Sequence, residues 1–221
     1  MEFDQFCPIT KETEILGEKW TILILREMLM GSSRFNELQR GLSMISPAVL
    51  TKRLNTLSDY GLIIKNKIHG QKDHEYLPSN AARELLPIFV DIGNLGMKWT
   101  RNHLTDNDFD VDFLMLYLQR SIRTEMLPGK KTIIRFHFTE LKKQPYWWIL
   151  VKGNSIDVCV LDPGKEPDVY FTSSVKVLSD IWMGVNTYRK AIRNGDLKAV
   201  SRSDLTKNIT TWMSNCMFAQ K

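Results

Sequence analysis

Leu50, Leu54 and Leu57 recur at intervals of four and three, which lines up one face of an α-helix. The run ISPAVLTKRLNTLSDYGLI (45–63) therefore reads as a helix. Ser46 is suited to the N-cap, Pro47 to the first helical position and Gly61 to a left-handed C-cap. A shorter helix, RFNELQRGL (34–42), precedes it, with Phe35 and Leu38 inward and Ser33 as its expected cap. Residues 10–30, with TKETEILGEKWTILILREML (10–29), predict two helices broken near Gly17. Residues 79–100 carry a wide apolar stripe through Leu85, Phe89, Ile92 and Leu95, in which Pro87, Gly93 and Gly96 are expected to break or kink the helix. From residue 132 the period changes to two. TIIRFHFT, PYWWILV, SIDVCVL and DVYFTS predict four short strands in an antiparallel meander. Helices follow from Ser174, around 186–194 and from Ser203 through Cys216, with a possible last strand at 197–201.

Polar positions sharpen the first half. Opposite the leucines lie Ala48, Lys52, Asn55 and Asp59, flanked by Thr51, small and hydrogen-bonding groups of the kind that meet base edges and phosphates. After Gly61, KNKIHGQKDHEYL (65–77) reads as a polar, basic hairpin. Short helix, long helix and hairpin make a winged helix-turn-helix, a module that lays one helix in the DNA major groove. An amphipathic helix with a merely solvated outer face is the plainer reading of 45–63 alone; the adjoining elements weigh against it. The net charge of +5 is modest. Between 34 and 72, however, Arg34, Arg40, Lys52, Arg53, Lys65, Lys67 and Lys72 face only Glu37 and Asp59. That concentration supports phosphate contact and salt-dependent affinity.

Other chemistry is scarce. The three cysteines (Cys7, Cys159, Cys216) form no CxxC pair or disulfide framework, and the four histidines show no metal-ligand spacing. There is no P-loop, GxGxxG, GxSxG or HExxH, so neither a catalytic constellation nor a cofactor is expected. No apolar run is long enough to span a membrane and no signal sequence is visible, which makes a cytoplasmic location the default expectation. The aspartate-rich stretch RNHLTDNDFDVD (101–112) marks the boundary between a domain over 1–104 and another over 112–221. The fold class expected is α+β, a winged helix-turn-helix domain followed by an antiparallel sheet with helices.

The first half resembles the HxlR-type family of bacterial winged-helix regulators. The resemblance rests on Cys7-Pro8-Ile9, LGEKWTILILREMLMG (16–31), RFNEL (34–38), the 45–63 helix and EYLPSNAARELLP (75–87). It departs at Ala82, where the family commonly has glycine. The resemblance implies a dimeric DNA-binding protein, with the dimer surface near Cys7 and 84–100. It also implies DNA contacts from Ser46, Thr51, Lys52, Arg53 and Asn55 on the recognition helix. Lys65, Lys67, His69 and Lys72 would contribute from the wing, and Arg34 would touch phosphate. For Arg53 a salt bridge at the edge of the leucine stripe is the competing reading, and for His69 a solvated loop tip. Cys7 reads either as an oxidant-sensing thiol or as a small apolar residue packed at the dimer surface.

The second half is similar to the sterol-carrier-protein-2-like fold, through the element order, DVYFTSSVKVLSDIWMG (168–184) and NGDLKAV (194–200). It lacks the second glycine usual near Ser201. Such domains enclose an apolar cavity. Phe136, Phe138, Trp148, Tyr170 and Trp182, with Tyr146 and Trp147, are candidates to line one, against the plainer reading that they are core. His137 and Cys159 fall on the face opposite the strong apolar positions.

The reading that combines these features is a homodimeric transcriptional regulator on a palindromic operator in double-stranded DNA, modulated by an apolar small molecule in the C-terminal domain. The alternatives are a lipid-like small-molecule carrier, a redox-sensing regulator acting through Cys7, and a protein-interaction module.

Overall fold

The computed structural model describes residues 3–70, 73–201 and 204–219. The chain divides into two units, Met1–Leu95 and Gly96–Lys221. In the first, α1 (Pro8–Leu16) and α2 (Thr21–Leu29) are separated by a turn in which Trp20 takes a left-handed φ of 79°. The break expected at Gly17 thus extends four residues. Then come α3 (Phe35–Gly41) and α4 (Pro47–Asp59), the wing strands β1 (Ile63–Lys67) and β2 (His74–Pro78), α5 (Asn80–Glu84) and α6 (Leu86–Trp99). Ser46 Oγ accepts from the Val49 N–H at 3.3 Å and so fixes the start of α4. Leu50, Leu54 and Leu57 are fully buried against Ile24, Leu25 and Leu38. Burying each such side chain stabilises the unit by about 1.5–3 kcal/mol. Gly61, at φ 70°, turns the chain out of α4 into β1. The wing strands pair antiparallel from Ile63↔Pro78 to Lys67↔His74.

Two local expectations are corrected. The start of α3 is capped by Glu37, whose carboxylate accepts from the N–H groups of Ser33 and Arg34 at 2.9 and 3.1 Å; Ser33 is not the cap. The interruption in 79–100 falls at Leu85, just ahead of Pro87, and α6 then runs unbroken through Gly93 and Gly96. Glycine weakens a helix without removing a hydrogen bond, whereas proline removes one.

The second unit begins its packed part with α7 (Val111–Arg120), capped by Asp110. A five-stranded sheet follows: β3 (Lys131–Phe138), β4 (Tyr146–Lys152), β5 (Ser155–Cys159), β6 (Val169–Ser173) and, after α8 (Val175–Trp182) and α9 (Tyr188–Asn194), β7 (Leu197–Ser201). A short 3-10 turn over Asp204–Thr206 precedes α10 (Ile209–Trp212). The single C-terminal helix expected over 203–216 is therefore a turn and one helical turn, and Ser203 lies outside the described residues.

The strand order is β5-β4-β3-β6-β7. Only β3, β4 and β5 form the expected meander. β6 pairs parallel to β3 (Phe136↔Phe171), so residues 160–168 must carry the chain back across β4 and β3. One sheet face, with Ile134, Phe136, Phe138, Trp147, Ile149 and Phe171, packs with residues of α7 to α10 around the fully buried Trp212. The other face carries Ile133, Arg135, His137, Tyr146, Trp148, Leu150 and Tyr170.

Candidate nucleic-acid interface

The inward leucines of α4 rotate its opposite face to solvent. Ser46, Ala48, Thr51, Lys52 and Asn55 are all exposed there. The Ser46 hydroxyl caps the helix, and the Thr51 hydroxyl donates to the Pro47 carbonyl at 2.9 Å, so both are held in place by the helix itself. Lys52 and Asn55 project beyond them, and among the described residues their side chains have no hydrogen-bond or ion-pair partner. Met44 and Val49, which sequence reasoning passed over, are also exposed, at 84% and 37%. Apolar groups at the leading end of α4 can meet thymine methyls. Their signal was readable, since neither falls on the leucine stripe.

Arg53 is arranged differently. Its guanidinium donates to the Glu18 carboxylate at 2.6 Å, tying α4 to the α1–α2 turn. The bond to Arg53 holds the Glu18 carboxyl below its ordinary value. Arg53 is largely covered, and its Nε is buried with no hydrogen-bond partner among the described residues. Of the residues expected on the recognition face, it is the one turned toward the body of the unit. Its helical angle, next to the leucine stripe, explains why.

On the wing, Lys65 and Lys67 are exposed on β1, and the Lys65 ammonium lies 5.9 Å from the centroid of the Tyr76 ring. His69 is exposed at the tip. Lys72 lies outside the described residues. Arg34 is half-buried, because its backbone bridges to Glu75 of β2 where α3 begins. Apart from Arg34, Arg53 and Lys72, the structure brings the expected polar groups to the exposed side of α4 and the wing.

A second exposed surface is apolar. Ile88, Ile92, Leu95 and Trp99 follow one another at four, three and four residues along α6 and are 48–63% exposed. On α1, Ile9 is 77% exposed. Cys7, half-buried, immediately precedes α1. The backbone amides of Thr10 and Ile9, with the Thr10 hydroxyl, draw its thiol below the ordinary value.

The aromatic residues expected to line one cavity in the second unit do not converge. Phe136 and Phe138 are fully buried in the core beneath the helices. Trp182 packs at the edge of that core, donating to Ser121 Oγ at 3.0 Å. Trp148 and Tyr170 lie on the opposite sheet face, because strand alternation sends neighbouring side chains to opposite sides. A groove of about 540 Å³ instead lies among Val111, Leu141, Trp147 and Val160, rimmed by Asp112, Glu140, Lys142, Lys143 and Gln144. Glu140 and Gln144 are occupied locally, by the Val175 N–H and by the Tyr146 and Val160 carbonyls. Among the described residues no cluster of three potential metal ligands occurs, and no helix is long and apolar enough to cross a membrane.

Two family models match parts of this chain. Residues 15–104 match the family model described as HxlR-like helix-turn-helix, and residues 115–199 that of the SCP-2 sterol transfer family. An uncharacterized HTH-type transcriptional regulator of Synechocystis sp. is 32% identical over 99 residues, 44% of this chain and 73% of that protein. One from Mycobacterium tuberculosis is 34% identical over 97 residues, 43% of this chain and 58% of its own length. A third, from Bacillus subtilis, is 31% identical over 101 residues, 45% of this chain and 94% of that protein.

Proposed function

Because this chain belongs to the HxlR-like helix-turn-helix family and carries an SCP2-like domain behind it, we propose that it is a transcriptional regulator that binds a palindromic operator as a homodimer. The observation that carries the reading is the exposed face of α4, where Ser46, Thr51, Lys52 and Asn55 stand on a helix locked from behind by three buried leucines. In it, Thr51 and Asn55 read base edges, Lys52 neutralises phosphate, and Lys65, Lys67 and His69 follow the backbone from the wing. Arg34 and Lys72 are assigned to phosphate from the resemblance to HxlR-type regulators. Arg53 holds the angle of α4 through Glu18.

The second copy covers the apolar stripe of α6, which is too continuous to be left in water in a working regulator. A two-fold axis then sets the spacing of the two recognition helices. We assign an apolar effector to the groove lined by Val111, Leu141, Trp147 and Val160. It acts by binding one spacing more tightly than the other. Such a protein works where the DNA is, in the cytoplasm of a bacterium.

The test is selection from a random duplex library with full-length protein, followed by titration of the enriched sequence against scrambled competitor. An inverted repeat bound at least about a thousandfold more tightly than random duplex is expected, at the low end of specific protein–DNA discrimination. Equal affinity for selected and scrambled duplex rejects the assignment and leaves the SCP2-like half as a small-molecule carrier.

A further inference from the structure

The sheet face turned away from the helices holds a cation without a counter-charge. Arg135 sits at its centre, half-buried, with the ring centroid of Tyr170 4.6 Å from its guanidinium carbon and that of Tyr146 at 5.4 Å. Its Nε is buried and has no hydrogen-bond partner among the described residues. Among the described residues it pairs with no carboxylate. Three other partly covered arginines are paired with carboxylates: Arg26 with Glu27 at 2.8 Å, Arg53 with Glu18 at 2.6 Å and Arg101 with Asp180 at 3.2 Å. A buried or half-buried cation ordinarily keeps such a partner, because losing water without one is costly.

The surroundings add charge of the same sign. Strand register places His137 one row along from Arg135, stacked on Tyr146 at 4.7 Å between centroids. Across Thr172 in the same row lies the exposed Lys198. No acidic residue occupies these two rows; Asp157 lies one row further along, opposite Leu150, Asp168 accepts from the Ile133 N–H at 2.8 Å, and Glu166 is engaged by the Tyr170 hydroxyl. Tyr146 remains 40% exposed.

We propose that this face is a binding site for a small planar carboxylate, an aromatic acid of about the size of benzoate. The two tyrosine rings occupy positions against the guanidinium, leaving its in-plane N–H edge to donate. That edge is a fork whose spacing matches the two oxygens of a carboxylate. The 40% exposed ring of Tyr146, held by His137, gives the acid's own ring an aromatic edge to pack against. Lys198 adds attraction at the rim. The site depends neither on DNA binding nor on the groove beside Trp147, which opens among residues of the other sheet face.

Isothermal titration of the full-length protein with sodium benzoate tests this, alongside Arg135→Lys, Tyr146→Leu and the double variant Lys142→Ala/Lys143→Ala at the groove. Saturable binding of one benzoate per chain is expected. Arg135→Lys, which keeps the charge but loses the fork, should weaken it about tenfold or more, the cost of one charge-assisted hydrogen bond. Tyr146→Leu should weaken it less, and the groove variant should leave it unchanged. The proposal is overturned by absence of saturable binding at millimolar benzoate, by full affinity in a folded Arg135→Lys protein, or by loss of binding in the groove variant. It is also overturned if a single-stranded oligonucleotide, and not benzoate, binds in an Arg135-dependent way. Operator titrations on the same variants separate the outcomes: operator binding should be intact in all of them, whatever happens to benzoate.

Discussion

Lys52 and Arg53 are neighbours on one helix, yet the structure gives them different tasks, and salt dependence separates these. Lys52 is exposed and faces outward; Arg53 is bonded to Glu18 at 2.6 Å. Each phosphate neutralised by a cation contributes about 0.9 to the slope of log affinity against log salt. A dimer carries two copies, so Lys52→Ala should flatten the slope by about 1.8. Between 50 and 200 mM salt, a fourfold change, the deficit of Lys52→Ala relative to wild type should shrink by about 12-fold. Arg53→Ala removes no phosphate contact on this reading. Its deficit comes from a less constrained α4 and should be the same at both salts. Its stability cost is small, about 0.2–1 kcal/mol, since both partners are partly solvated. Glu18 adds a pH signature. Its carboxyl is depressed in the folded state, so the pair's contribution is present above the ordinary glutamate value of about 4.3 and is lost as pH falls through the lower folded value. The stability gap between wild type and Glu18→Gln should therefore be open at pH 7 and close in acid. The assay is fluorescence anisotropy on the selected operator across a salt series, with thermal melts on the same samples. If Arg53→Ala flattens the slope as much as Lys52→Ala does, Arg53 leaves Glu18 for phosphate in the complex and the positioning role is wrong.

Leu95→Arg should abolish the proposed dimer in native mass spectra without unfolding the chain, because Leu95 is 60% exposed and the change removes apolar surface from the α6 stripe; a dimer equal to that of the wild type would move the interface elsewhere. Alkylation by iodoacetamide at pH 7 should be faster at Cys7 than at Cys216. The amides of Thr10 and Ile9 lower the first thiol, while burial raises the second. Equal rates by peptide mass mapping would contradict both shifts.

The helical half was legible because its periodic signal, caps and breakers coincide. Leu50, Leu54 and Leu57 name the buried side of α4, Ser46 and Gly61 bound it, and the basic hairpin follows directly. What stayed hidden was long-range. Nothing local links Glu18 to Arg53 across 35 positions, and the cap of α3 came from Glu37 because its carboxylate reaches back to two amides that Ser33 could not serve. Counting cations in 34–72 pointed to a candidate interface; it could not say which of them was already engaged.

In the second half the alternation of strands was readable but the topology was not, and the error at the pocket residues follows from that. Phe136 and Tyr170 were grouped as lining one cavity, although the parallel pairing of β3 with β6 places Tyr170 beside Arg135 and not beside Phe136. A meander of four strands contains no such pair, so β6 could not be set in register from the sequence. The assignment of faces is open to a direct test. Phe136 is fully buried and stacks on Phe171 at 5.3 Å between centroids. Phe136→Ala should therefore cost about 3–5 kcal/mol, since it deletes a core ring and leaves a cavity that the surrounding sheet cannot close. Tyr170 is half-buried and gives up a stacked guanidinium and a hydrogen bond to Glu166. Tyr170→Ala should cost about 1–2 kcal/mol, from an exposed cation–π contact and one hydrogen bond. Urea unfolding followed by circular dichroism measures both. Equal losses would mean that the two rings share a core, and with it that the parallel register, the separation of the two faces and the open setting of Arg135 are all misassigned.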